Sequence, residues 1–174
     1  MEKIIITKEL SEAIKKCRAN EKDGREVLTC INITENELVA TDGICLLMVS
    51  RDILNFEIEP GVYKTISINK DKKNDVYILE KSDLEFPNYG QIIPQDGKPE
   101  DFFEVRIFDN SEVLSRAMLT LYKKTDNLFD YSLLSNVSSL KETWTCTSFK
   151  KDNVTKLVSE SKEITFLIMP IKQI

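Results

Sequence analysis

The stretch Val39–Val49, VATDGICLLMV, holds the strongest turn signal in the chain and decides how its flanks are read. Asp42-Gly43 is a hairpin dipeptide: glycine reaches positive φ without cost, and aspartate bonds its own backbone amides. Leu38–Thr41 is therefore one strand and Ile44–Ser50 the returning one. The returning strand is apolar at every position from Ile44 to Val49. A hairpin strand with one wet face alternates apolar and polar side chains. This one does not, so two arrangements are open. Either both faces are buried in the core, or one packs on the core and the other lines a groove that receives a partner.

Working outward, Lys3–Thr7 is a short β-branched strand, and Thr7 caps a helix. Leu10, Ala13, Ile14 and Cys17 follow at the spacing of one buried helical face, and Asp23-Gly24 stops the helix after Lys22. Val27–Ile33 alternates as a strand before the turn Thr34-Glu35-Asn36. Val62–Ile68 and Val76–Leu79 are further strands around the solvated loop Lys70–Asp75. Glu85–Pro94, EFPNYGQIIP, is irregular, and Gln95–Asp101, QDGKPED, is the linker candidate.

The second half repeats that order. Phe102–Phe108 reads as a strand, Asp109-Asn110-Ser111 supplies caps, and Val113, Leu114, Ala117, Met118 and Leu121 form a helical stripe. A short helix at Leu133–Leu140 precedes strands at Trp144–Phe149, Val154–Ser159 and Glu163–Met169. The expectation is an α+β fold of two halves, 1–94 and 95–174. Each runs strand, helix, strands, with helices packed on one side of antiparallel sheets.

Composition narrows the function classes. The 174 residues are 41% hydrophobic and 30% charged, enough for a core, and the net charge of −5 argues against a uniformly basic nucleic-acid binder. There is no histidine and no C-x-x-C pair among Cys17, Cys30, Cys45 and Cys146, which argues against a zinc site and reads the thiols as core hydrophobes in a reducing compartment. No apolar run reaches the roughly 18 residues that span a bilayer, and MEKIIITKELS is not a signal peptide, so a cytoplasmic setting is expected. G-x-S-x-G, Walker A and G-x-G-x-x-G are absent. Cys45 has no histidine to serve as its base, so no enzyme and no cofactor is expected.

Three separated segments then matter together. Leu38–Val49 (LVATDGICLLMV) is similar to the V-A-T-D-G-H-R-L hairpin of the bacterial DNA polymerase III beta subunit, the sliding clamp. Glu85–Pro94 resembles that family's F-P-D-Y-x-x-V-(I/L)-P segment, and Thr165–Ile171 (TFLIMPI) resembles its terminal V-V-M-P-M strand. All three occur in the family's order. The resemblance implies a DNA-clamp-like fold and a processivity factor that tethers replication proteins to DNA. It also implies one pocket for short peptides from DNA polymerases and other replication proteins. Carried over by position, its walls are Thr41, Gly43, Ile44, Cys45 and Leu46, then Pro87, Gln91 and Ile92, then Leu167, Ile168, Met169 and Pro170. Leu28 matches a further pocket leucine. Each Leu or Phe that a peptide buries there is worth about 1.5–3 kcal/mol. Where the family has His-Arg after the glycine, this chain has Ile44-Cys45, and the family's arginine near Gln91 is missing. Both changes make the groove greasier.

The resemblance also implies that the helices face double-stranded DNA non-specifically. The candidates are Lys15, Arg18 and Lys22 on the first helix and Arg116, Lys123 and Lys124 on the second. Bacterial clamps carry three domains per chain and close as dimers, whereas this chain has one hairpin signature and one terminal signature. A homo-oligomer is one expectation. The alternative is a clamp-fold module, from a phage or mobile element, that binds a protein partner without encircling DNA.

Overall fold

Thr7 ends the first strand, β1 (Glu2–Thr7), and opens the first helix, α1 (Lys8–Cys17), accepting the Leu10 amide on Oγ1 at 3.4 Å. Glu9 lies in the first turn and Lys15 and Lys16 in the last, as the helix dipole favours. Leu10, Ala13, Ile14 and Cys17 are all buried, as their spacing predicts. The helix stops at Cys17, sooner than expected. A 3₁₀ turn at Glu21–Asp23, capped by Asn20, then ends at Gly24 with φ +70°.

This computed structural model describes residues 1–54, 56–150 and 152–171. The chain divides into two units, Met1–Pro87 and Asn88–Ile174. Asn88–Pro94 thus goes with the second unit, although the linker signal places the sequence boundary after Pro94.

The first unit continues with β2 (Ile31–Ile33), β3 (Glu37–Thr41), β4 (Cys45–Ser50), β5 (Gly61–Lys70) and β6 (Asn74–Ser82). Its sheet is antiparallel throughout, in the order β1-β6-β5-β2-β3-β4. α1 packs against β1, β3, β4 and β6. The strand expected over Val27–Ile33 survives only at β2. Residues Glu26–Thr29 instead form a 3₁₀ turn, held by the Leu28 amide to the Arg25 carbonyl at 3.0 Å and the Thr29 hydroxyl to the Glu26 carbonyl at 2.7 Å. Local hydrogen bonds there outcompete the alternating pattern.

The second unit holds β7 (Phe103–Ile107), α2 (Ser111–Thr125), α3 (Tyr131–Ser135), β8 (Glu142–Ser148), β9 (Thr155–Ser159) and β10 (Ile164–Ile168). Its strands are antiparallel in the order β10-β9-β8-β7. Asn110 caps α2 by accepting the Glu112 and Val113 amides, and Leu114, Ala117 and Leu121 form its buried stripe. Trp144 and Phe166 are fully buried with ring centroids 6.2 Å apart, the aromatic centre of this unit's core. Both units run strand, helix, strands, which is the α+β layout read from the sequence.

A buried polar cluster ties α1 to β6. The Ser11 hydroxyl donates to Asp75 Oδ2 at 2.6 Å, Lys15 Nζ donates to the same oxygen at 2.8 Å, and the Tyr77 hydroxyl lies 2.9 Å from Ser11 Oγ. Asp75 is buried, so its charge needs these partners. The Lys15 bond, and then the Ser11 bond, hold its carboxyl below the usual aspartate range. A depressed folded pKa contributes stability that is present above the unfolded value, about 3.9, and lost as pH falls through the folded one. Urea denaturation of the wild type and Asp75→Asn should therefore show a gap that is widest above pH 5 and closes toward pH 2. A gap independent of pH would remove the ion pair from the account of stability.

Candidate functional site

The hairpin tip is built by its own polar side chains. Asp42 Oδ1 accepts the amides of Ile44 and Cys45, each at 2.8 Å. Thr41 Oγ1 accepts the Gly43 amide at 3.0 Å and donates to the Cys45 carbonyl at 2.5 Å. Gly43 has φ +89°, where an L side chain is strained. The T-D-G signature is thus explained first by turn chemistry. It sets the β3–β4 register from Thr41↔Leu46 to Glu37↔Ser50.

That register answers the question posed by the apolar run. Cys45, Leu46, Leu47, Met48 and Val49 are all buried, so β4 is apolar because neither face meets water. Only Ile44, at the tip, is exposed, at 52%. Thr41, Cys45 and Leu46 are not surface as the chain stands. Leu28 is buried beneath the turn, its Cδ1 3.5 Å from the position of a Cβ on Gly43, and Arg25 Nη1 lies 2.6 Å from the same point. The first unit therefore gathers Leu28, Thr41, Gly43, Ile44, Cys45 and Leu46 at one place and adds Arg25. The sequence reading missed Arg25. The signal for it was its spacing, three residues before Leu28, across a single 3₁₀ turn.

Pro87, exposed, is the last residue of the first unit, and the other predicted groove positions lie in the second. Gln91 closes a 3₁₀ turn, Tyr89–Gln91, and Ile92 follows, its amide 3.0 Å from the Tyr89 carbonyl. Both are exposed and line an open cleft of about 530 Å³ together with Pro94, Ser148, Lys150 and Val154. Lys150 puts a cation on this cleft from the loop after β8, far in sequence from the predicted segment. Leu167 and Ile168 are buried in β10, and Met169 and Pro170 follow it half-buried. The Ile171 amide donates to the Leu128 carbonyl at 2.7 Å, which fixes the end of this strand on the loop between α2 and α3.

The six predicted DNA-facing cations fall into two groups. Lys15 is paired with buried Asp75, and Arg18 Nη1 donates to the Thr29 carbonyl at 3.1 Å and to Thr65 Oγ1 at 2.7 Å. These two are turned to structural use. Lys22, Lys123 and Lys124 are exposed, and Arg116 is exposed while paired with Glu112 one turn away. The outward face of α2 also shows Leu119 and Tyr122, 51% and 43% exposed.

All four thiols are buried. Burial pushes Cys17 and Cys30 above the usual thiol range, and pushes Cys146 up to about 12. No three of the Cys, Asp and Glu side chains among the described residues are grouped so as to hold a metal ion, and no helix among them is long and apolar enough to cross a membrane.

Comparison with known proteins places the fold. No protein-family model matches the chain, and no curated protein matches it. Solved structures do. The DNA polymerase III beta subunit of Thermotoga maritima superposes with a TM-score of 0.59 at 13% identity, over 99% of this chain and 66% of that one. The sliding clamp of Bacillus subtilis gives 0.55 at 15% identity, over 99% and 65%. A Caulobacter crescentus clamp, with polyethylene glycol bound in the region proposed for beta-motif tethering, gives 0.58 at 12% identity, over 99% and 66%. The fold is that of the bacterial sliding clamps, and the chain spans about two thirds of the length of these structures.

The turn chemistry makes a direct prediction. Gly43→Ala should cost about 1–2 kcal/mol for the positive φ, read as a lower urea midpoint. Gly97→Ala, at ordinary φ, should cost less. Equal losses would mean that the hairpin does not need glycine.

Proposed function

We propose that the chain is a sliding-clamp-like processivity factor that tethers replication proteins to DNA through a peptide-binding groove. The observation that carries the reading is the clamp fold over 99% of the chain, with the T-D-G hairpin at the tip where the resemblance puts a pocket wall. In the first unit the exposed positions assigned to peptide contact are Ile44 and Pro87; in the second they are Gln91 and Ile92, with the half-buried Met169 and Pro170 as deformable apolar positions. Buried Leu28, Thr41, Cys45 and Leu46 back the hairpin positions within the first unit, and buried Leu167 and Ile168 precede Met169 within the second. Arg25 and Lys150 add positive charge suited to the acidic residues of a partner peptide. They replace, from other sequence positions, the basic groups that the hairpin and the Gln91 segment lack.

On this reading Lys22, Arg116, Lys123 and Lys124 meet the phosphate backbone, and Lys15 and Arg18 hold α1 in place. A second reading, a clamp-fold module that binds a replication protein without encircling DNA, is favoured by one observation. The outward face of α2 carries Leu119 and Tyr122 among its cations, and neither side chain gains from a phosphate.

Mass in solution separates the two. A closed ring requires a stable oligomer at micromolar concentration; a monomer at every concentration leaves the second reading. If the helices meet DNA, affinity for duplex falls steeply with salt, and changing Lys22, Lys123 and Lys124 to Glu flattens the slope by about 0.9 per lost phosphate contact. For the groove, Ile44→Asp should weaken capture of polymerase-tail peptides about tenfold or more while leaving the urea midpoint unchanged, because Ile44 is exposed. Wild type that never binds such peptides would end the tethering proposal.

A further inference from the structure

A second opening lies in the first unit. It is a cleft of about 590 Å³ between the C-terminal end of α1, the 3₁₀ turn Glu26–Thr29 and residues 64–68 of β5. A β-bulge between Thr65 and Ser67 breaks the pairing with β6, and Ile66 within it is 52% exposed. Ile66, Ile68 and Ala19 give the cleft an apolar side.

Arg18 is its unusual member. The Nη1 group is held by the Thr29 carbonyl and the Thr65 hydroxyl, so the guanidinium has little freedom. Its Nε is buried with no hydrogen-bond partner, and among the described residues no carboxylate lies within ion-pair distance of it. Burial lowers the pKa of the group from its usual value, yet arginine stays charged at any working pH. A buried donor without an acceptor costs about 1–3 kcal/mol, but Nε is shut in; the group left for an incoming acceptor is Nη2, which makes no hydrogen bond among the described residues and is not enclosed. The other cations here are already matched: Lys15 with Asp75 at 2.8 Å and Lys64 with Glu26 at 2.6 Å. Glu21 and Glu26 stand on the rim. That balance admits one negative charge at Arg18 and repels a run of phosphates.

We propose that this cleft docks a partner segment presenting a carboxylate next to an apolar side chain, with the carboxylate on Nη2 of the Arg18 guanidinium and the apolar group on Ile66 and Ile68. An arginine N–H bonds a carboxylate oxygen through a charge-assisted hydrogen bond, and the exposed isoleucine supplies burial beside it. None of the residues lining the cleft belongs to the hairpin.

N-acetyl-leucine, which joins a carboxylate to an isobutyl group, is the probe. Added to the ¹⁵N-labelled full chain, it should shift the Arg18 Nε–H resonance saturably and bind about fivefold more tightly than acetate, from partial burial of its side chain. Leucinamide, which lacks the carboxylate, should leave the resonance in place. Ile66→Ser, at an exposed position, should bring N-acetyl-leucine down to the acetate level while the Arg18 signal persists. Arg18→Lys, followed through the backbone amides of Ile66 and Ser67, should weaken both carboxylates. The proposal is overturned if no carboxylate saturates the resonance, or if leucinamide acts as strongly. It is equally overturned if inorganic phosphate or a short DNA duplex binds there more tightly than N-acetyl-leucine, which would make the cleft a phosphate site.

Discussion

The turn at Asp42-Gly43 constrains much of the first unit. Two amides bonded to one carboxylate oxygen, and a glycine at φ +89°, fix where β3 ends and β4 begins. A slip of one residue would turn the side chains of β4 over. Because β4 is apolar on both faces, such a slip is weakly opposed by hydrophobicity alone. The polar residues at the tip therefore supply the register that the pattern of the strand does not. Arg25 and Leu28 lie against the same tip, so the placement of these groove candidates follows from the turn.

What was legible in the sequence was what local chemistry decides. The stripe Leu10, Ala13, Ile14, Cys17, the Asn110 cap and the Asp42-Gly43 hairpin each need only neighbours a few residues away. What was not legible depended on distant partners. Lys15 reads as a solvated cation until Asp75 arrives through the β1–β6 pairing, and Arg18 does so until Thr65 comes alongside. Val27–Ile33 alternates like a strand, but hydroxyl and amide bonds within Arg25–Cys30 wind it into a turn. The cleft beside Gln91 and Ile92 could not be foreseen from their segment, because Ser148 comes from the end of β8 and Lys150 from the loop after it.

The cations therefore need sorting by what they already hold. A lysine with a buried carboxylate at 2.8 Å has spent its charge on the fold, whereas Lys123 and Lys124 in the last turn of α2 have not. Helical spacing treats both kinds alike. The distinction bears on any role with a polyanion, since only uncommitted charge releases counterions on contact.

β1 and β7 each pair on one side only within their own sheets, leaving a row of backbone donors and acceptors without a strand beside it. Glu2 and Lys3 on the former, and Glu104 and Arg106 on the latter, are exposed. Charges of both signs along such a rim deter promiscuous strand addition, the route to fibrous aggregates, because a mismatched neighbour meets like charge. The same residues would admit a neighbour whose sequence alternates in the opposite sense, so solubility and selective assembly draw on one set of side chains.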